Sequence, residues 1–242
     1  MDFTWRLLII NHMLNIYEDG TYLKNNPTWH QEDSPLKADW VKKIIYNNSL
    51  KIESLAEIGC GSGEILKSLS KTLDNNINYF GYEISPQAFE ICKKKENNKL
   101  NFFLKDLLNE NKFFDILLII DVIEHIDNYF DFLKKAKSKA KFKIFHIPLD
   151  LSALNIIRDL PIKLKRKNVG HIHYFTKEIA LDTLKLNGYK ILDFFYTNTS
   201  GESPNASWKS KLLKIPRKLL FYINKDLAVK LLGGYSLMVL TE

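Results

Sequence analysis

Residues 57–63 read Glu57-Ile58-Gly59-Cys60-Gly61-Ser62-Gly63. A short apolar strand, Ser54–Cys60, runs into this turn, and an amphipathic helix, Glu64–Leu73, leaves it. Glycine has no Cβ and tolerates positive φ, so such a turn lets backbone lie close against a ligand. The spacing separates two classes of ligand. A dinucleotide turn reads G-x-G-x-x-G, and its third glycine lets the helix pack tightly. Here Glu64 occupies that third position, which disfavours an NAD-dependent oxidoreductase.

Outward from the turn the chain alternates strand and helix. Tyr79–Ile84 reads as a second strand, and Ser85-Pro86 opens a helix through about Lys95. Asn101–Leu104 is a third strand. Asp115–Asp121 is a buried central strand with Ile-Leu-Leu-Ile-Ile in its middle. A helix over Asn128–Ala140 and a strand over Phe142–Ile147 complete a βαβ rhythm. Ser34-Pro35 reads as the cap and first turn of an earlier helix reaching about Tyr46. Leu151–Lys167 reads as an inserted helix pair broken at Pro161, and Thr176 caps a helix ending at Gly188. A sixth strand spans Tyr189–Tyr196. Trp208–Leu232 is basic and mostly helical, interrupted at Pro216, and Tyr235–Thr241 reads as a last strand returning to the sheet.

Acidic residues fall at successive strand ends. Glu83 closes the second strand, where a carboxylate can accept both ribose hydroxyls. Asp106 follows the third, placed for an adenine amino group, and Asp121 ends the central strand. Together with the glycine turn they surround one crevice.

On these residues the stretch from about 54 to 198 resembles the class I S-adenosylmethionine-dependent methyltransferases, in the broad group of small-molecule and sugar O-methyltransferases. The resemblance rests on E-I-G-C-G-S-G (57–63), G-Y-E-I-S (81–85), K-D-L (105–107) and F-D-I-L-L-I-I-D-V-I-E-H-I (114–126). It implies an α/β, Rossmann-like three-layer sandwich with a seven-stranded, mostly parallel sheet whose last strand is antiparallel. It implies S-adenosyl-L-methionine as cofactor and S-adenosyl-L-homocysteine as product. Cofactor contacts are expected from Glu57, Gly59, Cys60, Gly61 and Gly63. Further contacts are expected from Glu83, Ile84, Asp106, Leu107 and Asp121. Residues 1–50, forming a cap and helix, and 199–242, the basic segment and last strand, lie outside the resemblance within a single domain, 1–242. They shape the acceptor pocket, with the insertion at about 149–175.

Methyl transfer is an in-line displacement at a sulfonium carbon, and a hydroxyl acceptor calls for a base. Asp121 and His125 are the first candidates. If 121–125 forms a helical turn, Asp121, Glu124 and His125 share a face. His125 has an ordinary pKa near neutrality; the alternative is that it only packs or bonds a loop. In Val169–Thr176, alternation places His171 and His173 on one side, and His173 is taken as the catalytic one. Some related methyltransferases, acting on quinone precursors or RNA 3′ ends, hold a divalent metal with E-x-x-E-H and a later His. Asp121-x-x-Glu124-His125 plus His171 or His173 resembles that set, with Asp for the first Glu. No metal ligand is assigned on this ground alone. His146 faces either the pocket or the core, and Trp29 and His30 are candidate cap residues.

The 242 residues suit one α/β domain. The charge is +7, and 45% of residues are hydrophobic. Lys and Asn are spread throughout, so nucleic acid is not the expected partner. Cys60 and Cys92 have neither zinc nor redox spacing. No run reaches the ~18 apolar residues of a membrane span, and no signal peptide is evident. A cytoplasmic enzyme acting on a small-molecule or glycan acceptor is the expectation. A metal-dependent RNA 2′-O-methyltransferase and a non-catalytic cofactor-binding scaffold remain alternatives. The basic run Lys209, Lys211, Lys214, Arg217 and Lys218 reads as a solvated helix face, a membrane contact or an anion contact.

Overall fold

Strand β4 (Phe114–Ile120) sits at the centre of the sheet. Alternate residues of a strand point to opposite faces. Ile116 and Leu118 therefore enter one apolar cluster, and Leu117 and Ile119 the other. Both faces are covered, which is why this strand is an unbroken apolar run rather than an alternation. The computed structural model describes residues 24, 26–29, 31–198 and 214–242. His30, Trp208, Lys209 and Lys211 lie outside the described residues.

The remaining elements are α1 (Ser34–Asn47), β1 (Ser54–Ile58), α2 (Glu64–Thr72), β2 (Asn78–Glu83), α3 (Pro86–Cys92) and β3 (Leu100–Leu104). After β4 come α4 (Tyr129–Lys137), β5 (Ala140–Pro148), α5 (Ala153–Arg158), α6 (Leu160–Val169) and α7 (Lys177–Leu186). The chain ends with β6 (Ile191–Thr197), α8 (Lys214–Ile223), α9 (Lys225–Leu232) and β7 (Ser236–Thr241). The strand order is β3-β2-β1-β4-β5-β7-β6. Strand β7 runs antiparallel to both β5 and β6, and the other pairs are parallel. This is the expected seven-stranded sheet with an antiparallel last strand. Strand order reverses between β1 and β4, so a crevice opens at their carboxyl ends.

Helices α1 and α2 cover one face, with Val41, Ile44, Leu66 and Leu69 packed on Leu55 and Tyr79. Helices α4 and α7 cover the other, where Leu133, Ala136 and Leu184 meet Ala56 and Phe145. Burying each such Leu or Ile contributes about 1.5–3 kcal/mol. Helix starts follow local chemistry: Ser85, Ser152, Thr176 and Asn224 each accept a backbone N–H of the first turn. Two expected breaks move. The interruption of the inserted pair falls at Asp159 (φ 54°), and Pro161 lies in the first turn of α6. Proline's missing N–H is harmless in a first turn. Pro216 likewise lies in the first turn of α8, and the chain breaks at Asn224. Helix α1 is preceded by Asp33 as its cap residue, so Ser34 is already helical.

Phe102 of β3 wedges against the glycine turn. A Cβ on Gly63, whose φ is +74°, would meet the Phe102 ring at 2.5 Å. One on Gly81 would overlap the same ring and approach Cys60 Sγ to 2.9 Å. These glycines let β2, β3 and the turn close on one aromatic ring. Gly81→Ala is therefore expected to destabilise the protein by about 1–3 kcal/mol through overpacking. A melting temperature equal to that of the parent would show that Phe102 is not wedged in this way.

Candidate active site

The turn after β1 places Gly59 (φ +65°), Gly61 (φ +53°) and Gly63 (φ +74°) in the left-handed region. Its backbone is tied to β2, with the N–H groups of Gly59 and Cys60 donating to Tyr82 O at 2.9 and 3.2 Å. The Glu83 carboxylate completes the attachment. Its Oε2 accepts from Gly61 N at 2.7 Å, and its Oε1 from Ile84 N and Ser85 N at 2.9 and 2.8 Å. A carboxylate has about four lone-pair positions, so three are already used. Glu83 therefore pins the glycine turn and keeps room for one hydroxyl on Oε2, rather than the expected pair. Burial raises its carboxyl pKa above the ordinary value, against the three backbone donors.

The crevice holds a cavity of about 320 Å³, within the range of small-molecule sites. Glu57, Gly59, Cys60, Gly61, Glu83 and Ile84 line it, as does Asp121. Three expected cofactor residues do not. Gly63 packs on Phe102. Asp106 caps the turn after β3, accepting from Leu108 N at 2.9 Å and Asn109 Nδ2 at 3.2 Å. Leu107 is fully buried in the core below. Gly63 has no side chain to contribute, and local capping and core packing engage those of Asp106 and Leu107.

Lys37 of α1 enters the cavity wall with no warning from sequence. Its Nζ lies 2.7 Å from Asp121 Oδ2. Asp121 Oδ1 accepts from His146 Nδ1 at 2.6 Å, and His146 Nε2 then accepts from the Thr197 hydroxyl at 2.9 Å. Trp40 stacks on that imidazole at 5.5 Å. Burial opposes ionisation of Asp121, yet the His146 and Lys37 partners outweigh it and hold its carboxyl well below the ordinary range. The same contacts overdetermine its φ of +53°, a strained value for a non-glycine residue. His146 is thus a bonded core histidine that anchors Asp121. Glu57 is treated differently. It is buried, and its Oε2 has no hydrogen-bond partner among the described residues. Burial pushes its pKa well up, and Lys37 only partly offsets this.

Beyond Asp121, residues Ile123–His125 form a single tight helical turn. Both Glu124 carboxylate oxygens are buried without a hydrogen-bond partner among the described residues. Burial raises the Glu124 pKa well above its ordinary value, and the charges of Asp121 and Asp150 add to this. His125 Nδ1 pairs with Gly170 O at 3.1 Å, which makes it the protonated nitrogen. Burial, with His171 beside it, lowers the His125 pKa to about 3. That corrects the expectation of a near-neutral base. His171 Nδ1 pairs with Asp150 Oδ2 at 2.7 Å, and Lys165 stands 3.7 Å from the other oxygen of Asp150. The His125 and His171 rings meet edge to face at 4.9 Å. One ligand atom from each of Glu124, His125 and His171 lies within 4.8 Å of the others.

His173 is not in this group. Its Nε2 donates to Ile126 O and Asp127 O at 3.0 and 3.2 Å, and its ring abuts Tyr129. Residues 170–176 are not a strand, so the alternation that aligned His171 with His173 does not apply. Instead Ile172 N and His173 N both donate to Glu124 O, at 2.9 and 3.1 Å. That pairing turns His171 inward and His173 away.

A family model described as a methyltransferase domain matches residues 56–141. The chain is 26% identical over 105 residues to a ubiquinone biosynthesis O-methyltransferase of Rickettsia canadensis, covering 41% of this chain and 44% of that protein. A counterpart from Rickettsia akari is 25% identical over 105 residues, with 41% and 42% covered. The chain thus aligns with less than half the length of these curated relatives. Among solved structures, the magnesium protoporphyrin IX methyltransferase of Synechocystis, crystallised with bound S-adenosylhomocysteine, superposes with a TM-score of 0.57 at 15% identity, covering 90% of this chain and 85% of that one. A methyltransferase of Haloferax volcanii in complex with its Trm112 activator gives 0.62 at 11% identity, with 92% and 94% covered. These likenesses confirm the fold, and the matched domain contains the glycine turn, Glu83 and the Asp121–His125 segment. Residues 56–141 thus carry a methyltransferase domain, and the fold is the one shared by solved S-adenosylmethionine-dependent methyltransferases.

Proposed function

We propose that this protein transfers the methyl group of S-adenosylmethionine to a hydroxyl of a small molecule, beside a divalent cation held by Glu124, His125 and His171. The reading is carried by the unpartnered, buried Glu124 carboxylate facing two imidazoles within ligand distance of one another. Such a carboxylate is costly unless an ion completes it. The donor set fits: both imidazoles point their Nδ1 at an oxygen, Gly170 O and Asp150 Oδ2, which orients Nε2 as a ligand. A divalent ion bound there supplies a Lewis acid next to the acceptor hydroxyl. A small-molecule hydroxyl is also what the O-methyltransferase names of the two rickettsial relatives support.

The cofactor also fits residues of this chain. Glu57 lacks a partner that the α-ammonium of the methionine moiety supplies, and Lys37 offers a cation for its carboxylate. Glu83 keeps one acceptor position for a ribose hydroxyl. With its pKa near 3, His125 is too weak a base to take the acceptor's proton, and its neutral imidazole is the metal-binding form. Asp121 stands where the related E-x-x-E-H motif has its first Glu. Lys37 and His146 occupy its two oxygens, so it positions α1 against the crevice and stays out of the ligand set.

Three outcomes follow. Glu57→Gln should weaken S-adenosylmethionine binding about tenfold or more by calorimetry, as expected on losing a charge-assisted hydrogen bond. Asp150→Ala should lower affinity for manganese or magnesium about 10- to 100-fold, because it removes the acceptor that orients His171, while cofactor affinity holds. Cation binding should also strengthen with rising pH. The raised Glu124 pKa means the carboxyl keeps its proton above the usual carboxylate range, and the cation must displace it. Titrations in buffers of different ionisation enthalpy would read that proton release. Turnover that is indifferent to chelator would refute the metal-assisted reading.

A further inference from the structure

We propose that the outer face of α5, α6, α8 and α9 docks on the surface of an anionic lipid bilayer. This goes beyond methyl transfer and rests on different residues. The four helices form one continuous run, since α8 packs on α9, α9 on α5 and α5 on α6. They hold ten of the nineteen large apolar side chains that are exposed among the described residues, although they make up a small part of the chain. Single exposed apolar residues are normal, but a concentration of them marks a contact surface.

The pattern on α8 is the strongest part. Ile215, Leu219, Tyr222 and Ile223 are spaced as one helical stripe, and all are more than 60% exposed, Tyr222 reaching 92%. The helix is already anchored from its other side. Phe221 stacks on Tyr235 at 5.0 Å, and Tyr235 donates its hydroxyl to Arg217 O. Packing on the protein thus accounts for one apolar side of α8 and leaves the second unexplained. Ile157, at 82%, and Leu160, at 56%, continue the exposed apolar surface onto α5 and α6.

Charge selects the occupant. Residues 153–169 and 214–232 contain ten Lys and Arg against two acids, Asp159 and Asp226; Arg217 is buried and Lys165 turns to the cavity, so those two do not belong to the outer face. A second copy of the chain docking face to face would set like charges against each other, because a two-fold interface matches a patch with itself. Nucleic acid would meet the cations but gain little from Ile and Leu, since stacking needs aromatic rings. An anionic bilayer meets both demands. Apolar side chains enter the acyl boundary and Lys and Arg sit at the headgroups. No helix among the described residues is long and apolar enough to cross a membrane, so the helices lie on the surface. Helix α6 contributes Lys165 and Val169 to the cavity wall, so docking brings the reaction site next to the bilayer.

Co-sedimentation of the full chain with lipid vesicles tests this. Binding should be about tenfold or more stronger to phosphatidylglycerol-containing vesicles than to pure phosphatidylcholine, and should weaken as salt rises. The double variant Leu219→Asp/Tyr222→Asp should lower binding about tenfold, as should Lys167→Glu/Lys218→Glu. All four sites are solvent-exposed, so circular dichroism and cofactor affinity should match the parent. Failure to sediment with anionic vesicles overturns the proposal, and so does binding that survives both variants. A dimer by sedimentation equilibrium that Leu219→Asp/Tyr222→Asp dissociates would assign the face to a second copy and overturn it equally. Vesicle binding is read without turnover, so its failure leaves the methyltransferase reading intact.

Discussion

Four carboxylates crowd the carboxyl ends of β1, β2 and β4, and the need to satisfy them organises everything around the cavity. Glu83 is held by three backbone N–H groups, so the acid at the end of β2 and the glycine turn after β1 become one rigid unit. Asp121 is held by Lys37 and His146. Those two bonds join α1 to β4 and β5, and the His146–Thr197 bond extends the tie to β6. Glu57 and Glu124 keep oxygens without hydrogen-bond partners among the described residues. The two satisfied acids build the walls of the site. The two unsatisfied ones are where the proposed reading puts positive charge from outside the chain, an ammonium at Glu57 and a divalent cation at Glu124.

This division explains why α1, which lies outside the matched domain, belongs to the site. Removing Lys37 would leave Asp121 with half its partners and a φ of +53° that nothing else enforces so strongly. The apolar side of α1, through Val41, Ile44 and Ile45, is buried on the sheet. Packing therefore fixes the helix, and the fixed helix delivers the cation. Trp40, three residues from Lys37 on the same helix, stacks on the His146 ring and covers that end of the buried polar chain. A low local dielectric strengthens each of these hydrogen bonds.

The sheet was legible in sequence because its signals are local. A run such as Ile116–Ile120 can only be a two-sided buried strand, and glycines at alternate positions can only be a turn. The acids at the strand ends were legible in position but not in use. Glu83 and Asp106 both end strands, yet capping and loop-holding claim most or all of their oxygens, and those demands come from neighbouring backbone. The choice of His171 over His173 depends on Glu124 O receiving two N–H groups from a segment nearly fifty residues away. Strand periodicity cannot register that contact. Lys37 carried no signal either, since one lysine on a helix rich in polar residues looks like a solvated one.

The shorter acid at position 121 has a consequence for chemistry. In a turn starting at Asp121, the side chain reaches Lys37 and His146 and is fully engaged there. The candidate cation ligands are then one carboxylate and two neutral imidazoles, so the site would bear a net positive charge once a divalent ion is bound. Acidic groups remain close: Asp121 and Asp150 both raise the Glu124 pKa. An acceptor whose hydroxyl becomes anionic would be drawn to that positive centre and stabilised there in its reactive form. A second carboxylate in the ligand set would cancel the charge that makes this useful. Fixing Asp121 to Lys37 therefore does two things at once: it holds the cap helix over the crevice, and on the proposed reading it keeps one negative charge out of the cation's ligand set.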